Sequence, residues 1–150
     1  MKKLLICFVV AAYFCGAFVS CTKTTVSIEI NGTDADYVVT NRTTGESLAN
    51  QGIYINIGPN AGEVLEVRNG DELELVYTPE SKYEKYSWSV DFKLFNDVVT
   101  TVATSPYKHT FTVGHIQSGT YYIECSASIN DKDVESNGTI TGSVKVKVVE

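Results

Sequence analysis

The chain has 150 residues and carries 12 Lys and Arg against 18 Asp and Glu, a formal net charge of −6. That length suits one domain, and the acidic balance argues against nucleic acid as a partner and against attraction to anionic lipid headgroups. The charges are interspersed along the chain, which excludes an acidic tail.

Met1-Lys2-Lys3 is a short basic start, and residues 4–16 follow without a charge. This is the form of a signal peptide, and the run falls short of the about 20 apolar residues that span a bilayer. An uncleaved anchor and cleavage after Ala17 are two readings of it. Val19-Ser20-Cys21 supports a third, because it resembles the lipobox of bacterial lipoproteins, with Phe18 standing where Leu or Val is usual. The resemblance implies that Cys21 is linked by a thioether to diacylglycerol and becomes the first residue. Each buried methylene then contributes about 0.8 kcal/mol, and two or more chains anchor stably where one does not. The expected division is a leader over residues 1–20, a tether over 21–24 and a domain over 25–150. The expected location is the cell envelope, lipid-anchored at the outer membrane. The periplasmic face is favoured because Thr22-Lys23-Thr24-Thr25 lacks the acidic residues that direct surface export in some lineages; secretion is the alternative. Cys7 and Cys15 leave with such a leader and lipid consumes Cys21, so Cys125 has no intramolecular disulfide partner and is expected to be buried.

Beyond the tether, period-two alternation recurs and helical periodicity does not. Val26, Ile28 and Ile30 alternate with polar residues, as do Leu73, Leu75 and Tyr77. Tyr86, Trp88, Val90, Phe92 and Leu94 form the longest apolar face. Tyr121, Ile123, Cys125, Ala127 and Ile129 form another, and Val144, Val146 and Val148 close the chain. Weaker strands are expected over residues 37–41 and 53–57, in a region that elaborates the first sheet. Turn signals fall at Asn31-Gly32, Asn69-Gly70-Asp71, Asn96-Asp97, Ser118-Gly119 and Asn137-Gly138. Short strands with one wet and one dry face predict an all-β, antiparallel β-sandwich.

The stretches NGDELELVY, YSWSVDF and SGTYYIECSASIND resemble strands B, C and F of immunoglobulin-like domains, with the PKD-type repeat the nearest relative. Gly70-Asp71, Trp88 and Gly119-Thr120-Tyr121 match that pattern over roughly residues 63–150. The resemblance implies an immunoglobulin-like sandwich with Trp88, Tyr121 and Cys125 in the core, Cys125 packing near Trp88, and extracellular recognition of glycans or proteins. Ser89-Val90-Asp91-Phe92-Lys93 departs from the Asp-Phe-Gly-Asp-Gly of PKD repeats. Antibody-type domains join strands B and F by a disulfide and carry Tyr two residues before the second Cys. Here Ile123 holds that position and strand B offers Leu75.

Candidate chemistry is sparse. His109 and His115 lack a nucleophile and orienting group in sequence, no Gly-x-Ser-x-Gly occurs, and zinc-ligand spacing is missing. Both histidines read as solvated, and no enzyme activity, cofactor or metal is assigned. Asp131, Asp133 and Glu135 alternate as oxygen ligands for calcium do, without the Gly and distal Glu of an EF-hand loop; strand alternation explains the same spacing. Tyr83, in the loop over residues 78–86, offers an amphipathic ring for a sugar or peptide, with Tyr107 as a second aromatic; the competing reading is that Tyr83 covers a sheet edge. Tyr83, Asp131, Asp133, Glu135 and Asn137 are therefore the candidate ligand-binding residues. Asn31, Asn41 and Asn137 each begin an Asn-x-Thr sequon, which matters only in a eukaryotic secreted protein. The expected function is that of a non-catalytic, membrane-anchored binding or spacer module recognising a glycan or protein. The alternative is an assembly subunit that docks another envelope protein through an exposed strand.

Overall fold

The computed structural model describes residues 25–30, 35–52 and 62–150. The leader, the tether with Cys21, the Asn31-Gly32 turn and the strand expected over 53–57 lie outside the described residues. Among the described residues eleven strands follow in order: β1 (Val26–Glu29), β2 (Asp36–Asn41), β3 (Ser47–Ala49), β4 (Leu65–Arg68), β5 (Glu72–Thr78), β6 (Trp88–Lys93), β7 (Val99–Val102), β8 (Tyr107–Thr112), β9 (Gly119–Ile129), β10 (Val134–Asn137) and β11 (Ile140–Val149). One 3-10 turn, Phe95–Asp97, joins β6 to β7. Among the described residues no helix is long and apolar enough to cross a membrane.

The strands form a five-stranded sheet ordered β4-β11-β9-β6-β7, a four-stranded sheet ordered β3-β2-β5-β8, and a β1-β10 ribbon. Neighbours pair antiparallel except β4 with β11 and β1 with β10. The two larger sheets face each other as a β-sandwich. Tyr37 of β2 meets Phe92 of β6 at 5.9 Å between ring centroids, and Tyr77 of β5 meets Trp88 of β6 at 5.6 Å. Alternation decides which side chains reach that interface. Leu73, Leu75 and Tyr77 point inward from β5, and Trp88, Val90 and Phe92 point inward from β6, all buried, while Ser89, Asp91 and Lys93 stay partly wet.

Trp88 and Cys125 are both in the core. The pairing register corrects their expected contact: Cys125 lies opposite Phe92, and Trp88 lies opposite Ile129. The two positions are four residues apart on β9, so a shared strand face does not make them neighbours. Tyr121 is half-buried at the rim, where its ring meets Phe95 edge-on at 5.4 Å and its hydroxyl donates to the Gln117 carbonyl at 2.9 Å.

Two buried polar pins hold the sheets' ends. Asp71 accepts from Asn41 Nδ2 at 2.7 Å and from the Arg68 N–H at 2.9 Å, while Asn41 Oδ1 accepts from the N–H groups of Thr43 and Thr44. Gly70, at φ 98°, turns the chain into this pin, a conformation that glycine adopts without a Cβ penalty. The second pin completes the outer edge of β11. Beyond the reach of β4, Gln51 N–H donates to the Ser143 carbonyl at 2.8 Å and Gln51 Oε1 accepts from the Lys145 N–H at 2.7 Å. Asn50 Oδ1 accepts from the Ser143 N–H at 2.9 Å. Gln51 is fully buried, and its Nε2 donates to the Glu63 carbonyl at 2.8 Å.

Candidate binding surface at the loop end of the sandwich

The register gathers several loops at one end. Ile140 pairs with Ala127 and Trp88 with Ile129 at that end, and Asp36 pairs with Thr78 and Tyr77 with Tyr107. The connections over 79–87, 103–106 and 130–139 therefore emerge together, and the last of them contains β10, to which β1 is paired. Turns at 42–46, 69–71 and 113–118 occupy the far end.

The 79–87 connection is folded back onto the core. Trp88 Nε1 donates to the Tyr83 carbonyl at 3.2 Å, and the Tyr83 ring meets the Trp88 ring edge-on at 6.4 Å. The Tyr83 and Tyr86 N–H groups donate to the Glu80 and Tyr83 carbonyls. Lys82 Nζ sits 4.7 Å from the centroid of the Tyr83 ring and 2.8 Å from Glu80. Tyr83 is thus half-buried, with one part of its ring on Trp88 and a cation over its face. This agrees better with a covering role than with an open stacking platform.

The four acidic and amide candidates divide. Asp131 joins the 79–87 connection, because its Oδ2 accepts from the Ser87 N–H at 3.3 Å and its Oδ1 from the Asp133 N–H at 3.2 Å. The Asn130 N–H donates to the Ser87 carbonyl at 2.8 Å. Asp133 precedes β10, and Glu135 and Asn137 lie within it, paired with Ser27 and Glu29 of β1. Their alternate spacing is that of a strand, with exposed side chains on one side. Among the described residues no group of three or more His, Cys, Asp or Glu side chains is arranged to hold a metal ion. Tyr83 and Asp131 share the loop end, and Glu135 and Asn137 belong to the ribbon beside it.

An open groove of about 350 Å³ lies at the same end, lined by the close of β5 (Val76 to Pro79), Glu84, and Ser105-Pro106-Tyr107. Tyr107, noted in the sequence as a second aromatic, is a buried wall of it, and its hydroxyl oxygen accepts from the Trp88 N–H at 3.2 Å. The groove escaped the sequence reading because its two sides are far apart in the chain. Only the Tyr77–Tyr107 register joins them, and a Ser-Pro in a connection signals no more than a turn.

Ionisation at this end and in the core follows burial. Desolvation pushes the Cys125 thiol up to about 12 from an ordinary 9.0, with Asp91 adding to it. Desolvation also raises Tyr37 and Tyr77, with Cys125 contributing to both. A neutral, buried thiol is inert as a nucleophile. The hydroxyls of Tyr37 and Tyr77 are buried without a hydrogen-bond partner. His115 is exposed, and His109 is half-buried with its ring stacked on Phe111 at 5.9 Å. Asn41 is fully buried and bonded to Asp71, so its sequon is closed to modification in the folded chain; Asn137 is exposed.

Neither the protein-family models nor the curated proteins compared with this chain include a match to it.

Proposed function

We propose that this chain is a non-catalytic, lipid-anchored module of the cell envelope, outer-membrane bound and immunoglobulin-like in fold, that recognises a glycan or protein through its loop end. The observation carrying this reading is the open groove there, where apolar walls (Val76, Pro79, Pro106) meet hydroxyl and carboxylate groups (Thr78, Ser105, Glu84). Such a mixture suits a sugar, whose ring faces are apolar and whose rim is polar. An open site of this size supports only weak single-module affinity, on the order of 1 mM to 1 μM. The immunoglobulin-like assignment draws support from strand order. With β5 as B, β6 as C, β7 as C′, β8 as E, β9 as F and β11 as G, the sheets read G-F-C-C′ and B-E, and the Tyr121 hydroxyl reaches back as a tyrosine corner does. Anchoring rests on Val19-Ser20-Cys21.

Titration with glycans and with calcium, followed through backbone amide shifts, tests the binding role. Shifts at Thr78, Glu84 and Ser105 are expected with a cognate sugar; their absence with every ligand, or shifts confined to a sheet face, removes it. Replacing Cys21 with Ser is expected to move the protein from membrane to soluble fractions, and an intact mass that begins at Phe18 would refute the lipid anchor.

One observation favours assembly through a strand as the second reading. Val99, in the edge strand β7 of the five-stranded sheet, and Val98 just before it are 55% and 56% exposed. An uncharged edge strand such as Val99-Thr100-Thr101-Val102 is a template for another chain. Val99→Lys should abolish such pairing while leaving the groove intact.

A further inference from the structure

We propose that the loop end of the sandwich is the face turned toward the bilayer, so that large partners approach the sheet faces and the far end. This rests on the lipid-anchor reading above. The chain enters the domain at β1, where the Val26 N–H donates to the Asp133 carbonyl at 3.1 Å. β1 runs parallel to β10, and β10 lies between the end of β9 at Ile129 and the start of β11 at Ile140. The entry point is thus beside the 79–87 and 130–133 connections. Cys21 and Thr25 are four peptide steps apart, at most ~14 Å of extended chain. The 11 residues of β9 span roughly 36 Å along the sandwich. A tether under half that length cannot let the domain turn over and present its far end to the lipid.

Charge does not supply the attraction. Lys82, Lys85 and Lys132 at the loop end are offset by Glu80, Glu84 and Asp131, which is not the polybasic cluster that binds anionic headgroups. The approach is imposed by tether length and is insensitive to salt. The groove beside Pro79 and Pro106 then opens close to the headgroups. Of the glycan and protein partners proposed above, this orientation narrows the groove to a small soluble sugar or a glycan carried on a lipid, because it is screened from a bulky polymer or folded protein.

The test uses the mature chain, residues 21–150, with a maleimide lipid coupled to Cys21 in phosphatidylcholine vesicles containing dansyl-labelled headgroups. Cys125 is 1% exposed and stays unreacted, which a single adduct mass verifies. Trp88 is the only tryptophan and opens β6 at the loop end, so its emission reports distance to the dansyl layer. The comparison chain carries Cys21→Ser and Glu150→Cys and is anchored from the far end. Trp88 is expected to be quenched several-fold more in the first chain than in the second, at low and high salt alike. Equal quenching, or stronger quenching in the second, overturns the orientation. Chemical coupling separates this outcome from the anchor reading, which instead fails if the mature protein purified from cells carries no diacylglycerol.

Discussion

Replacing Gln51 with leucine keeps the volume of a fully buried side chain and removes only its hydrogen bonds. Gln51 Oε1 accepts from the Lys145 N–H at 2.7 Å, and its Nε2 donates to the Glu63 carbonyl at 2.8 Å. Its main-chain bond to Ser143 survives the change. The leucine leaves one backbone donor and one acceptor without these partners, and each unsatisfied group costs about 1–3 kcal/mol when water cannot reach it. Both lie at a partly buried edge, so the lower half of that range applies to each, and the total is about 2–4 kcal/mol. That is a large share of the ~5–15 kcal/mol that a domain of this size commands. Urea unfolding followed by Trp88 fluorescence measures it, since Trp88 lies on another strand of the same sheet. A lowered midpoint with an unchanged slope is expected. A loss below about 0.5 kcal/mol, the usual range for surface substitutions, would refute the view that Gln51 completes the edge of β11.

Trp88→Ala should cost about 3–5 kcal/mol, because the indole is fully buried, touches Tyr77 and Tyr83, and holds the 79–87 connection by its N–H; a wild-type emission maximum of a water-exposed indole would contradict this placement. Gly142→Ala places a Cβ 2.6 Å from Asn50 Oδ1, which already accepts from Gly52 and Ser143, so a loss of about 1–3 kcal/mol is expected by thermal unfolding; unchanged stability would mean that Asn50 yields freely. Cys125 has its folded pKa above its unfolded one, so the unfolded thiol releases its proton first as pH rises. Its contribution is whole below about 9 and is lost progressively toward about 12, at a slope of about 1.4 kcal/mol per pH unit. Cys125→Ala should flatten the stability profile between pH 9 and about 10, above which the unfolded Tyr37 and Tyr77 begin to lose their protons, and an unaltered profile would show the thiol to be wetter than its burial implies.

The strands legible in the sequence were those with long, clean alternation. β5, β6, β9 and β11 fall on runs where apolar residues recur every second position because one face of each is dry; β2 shows the same pattern more weakly, and β1 alternates although its side chains stay largely exposed. β3, β4, β7, β8 and β10 are short or lie at sheet edges, and their exposed faces dilute the pattern. β8 reads Tyr107-Lys108-His109-Thr110-Phe111-Thr112, with only Tyr107 fully buried. The candidate site was legible in part. Tyr83 and Asp131 read as loop residues and lie in connections at the same end of the sandwich, but Glu135 and Asn137 alternate because they are in β10. The groove was invisible, since a surface formed by two distant segments has no local signature.

What the sequence determined by itself was which residues turn inward. The period of two and the placement of glycine and asparagine depend on the backbone's own geometry, and they carry fold class, the buried Trp88 and Cys125, and the turn at Asn69-Gly70 without reference to distant partners. What the tertiary structure decided was register and company. Cys125 lies opposite Phe92, Gln51 finishes the edge of β11, the Asn41 sequon is sealed by Asp71, and Pro79 and Pro106 line one groove. Each of these depends on hydrogen-bonded neighbours dozens of residues away, and a shift of one residue in strand pairing would reverse every one of them.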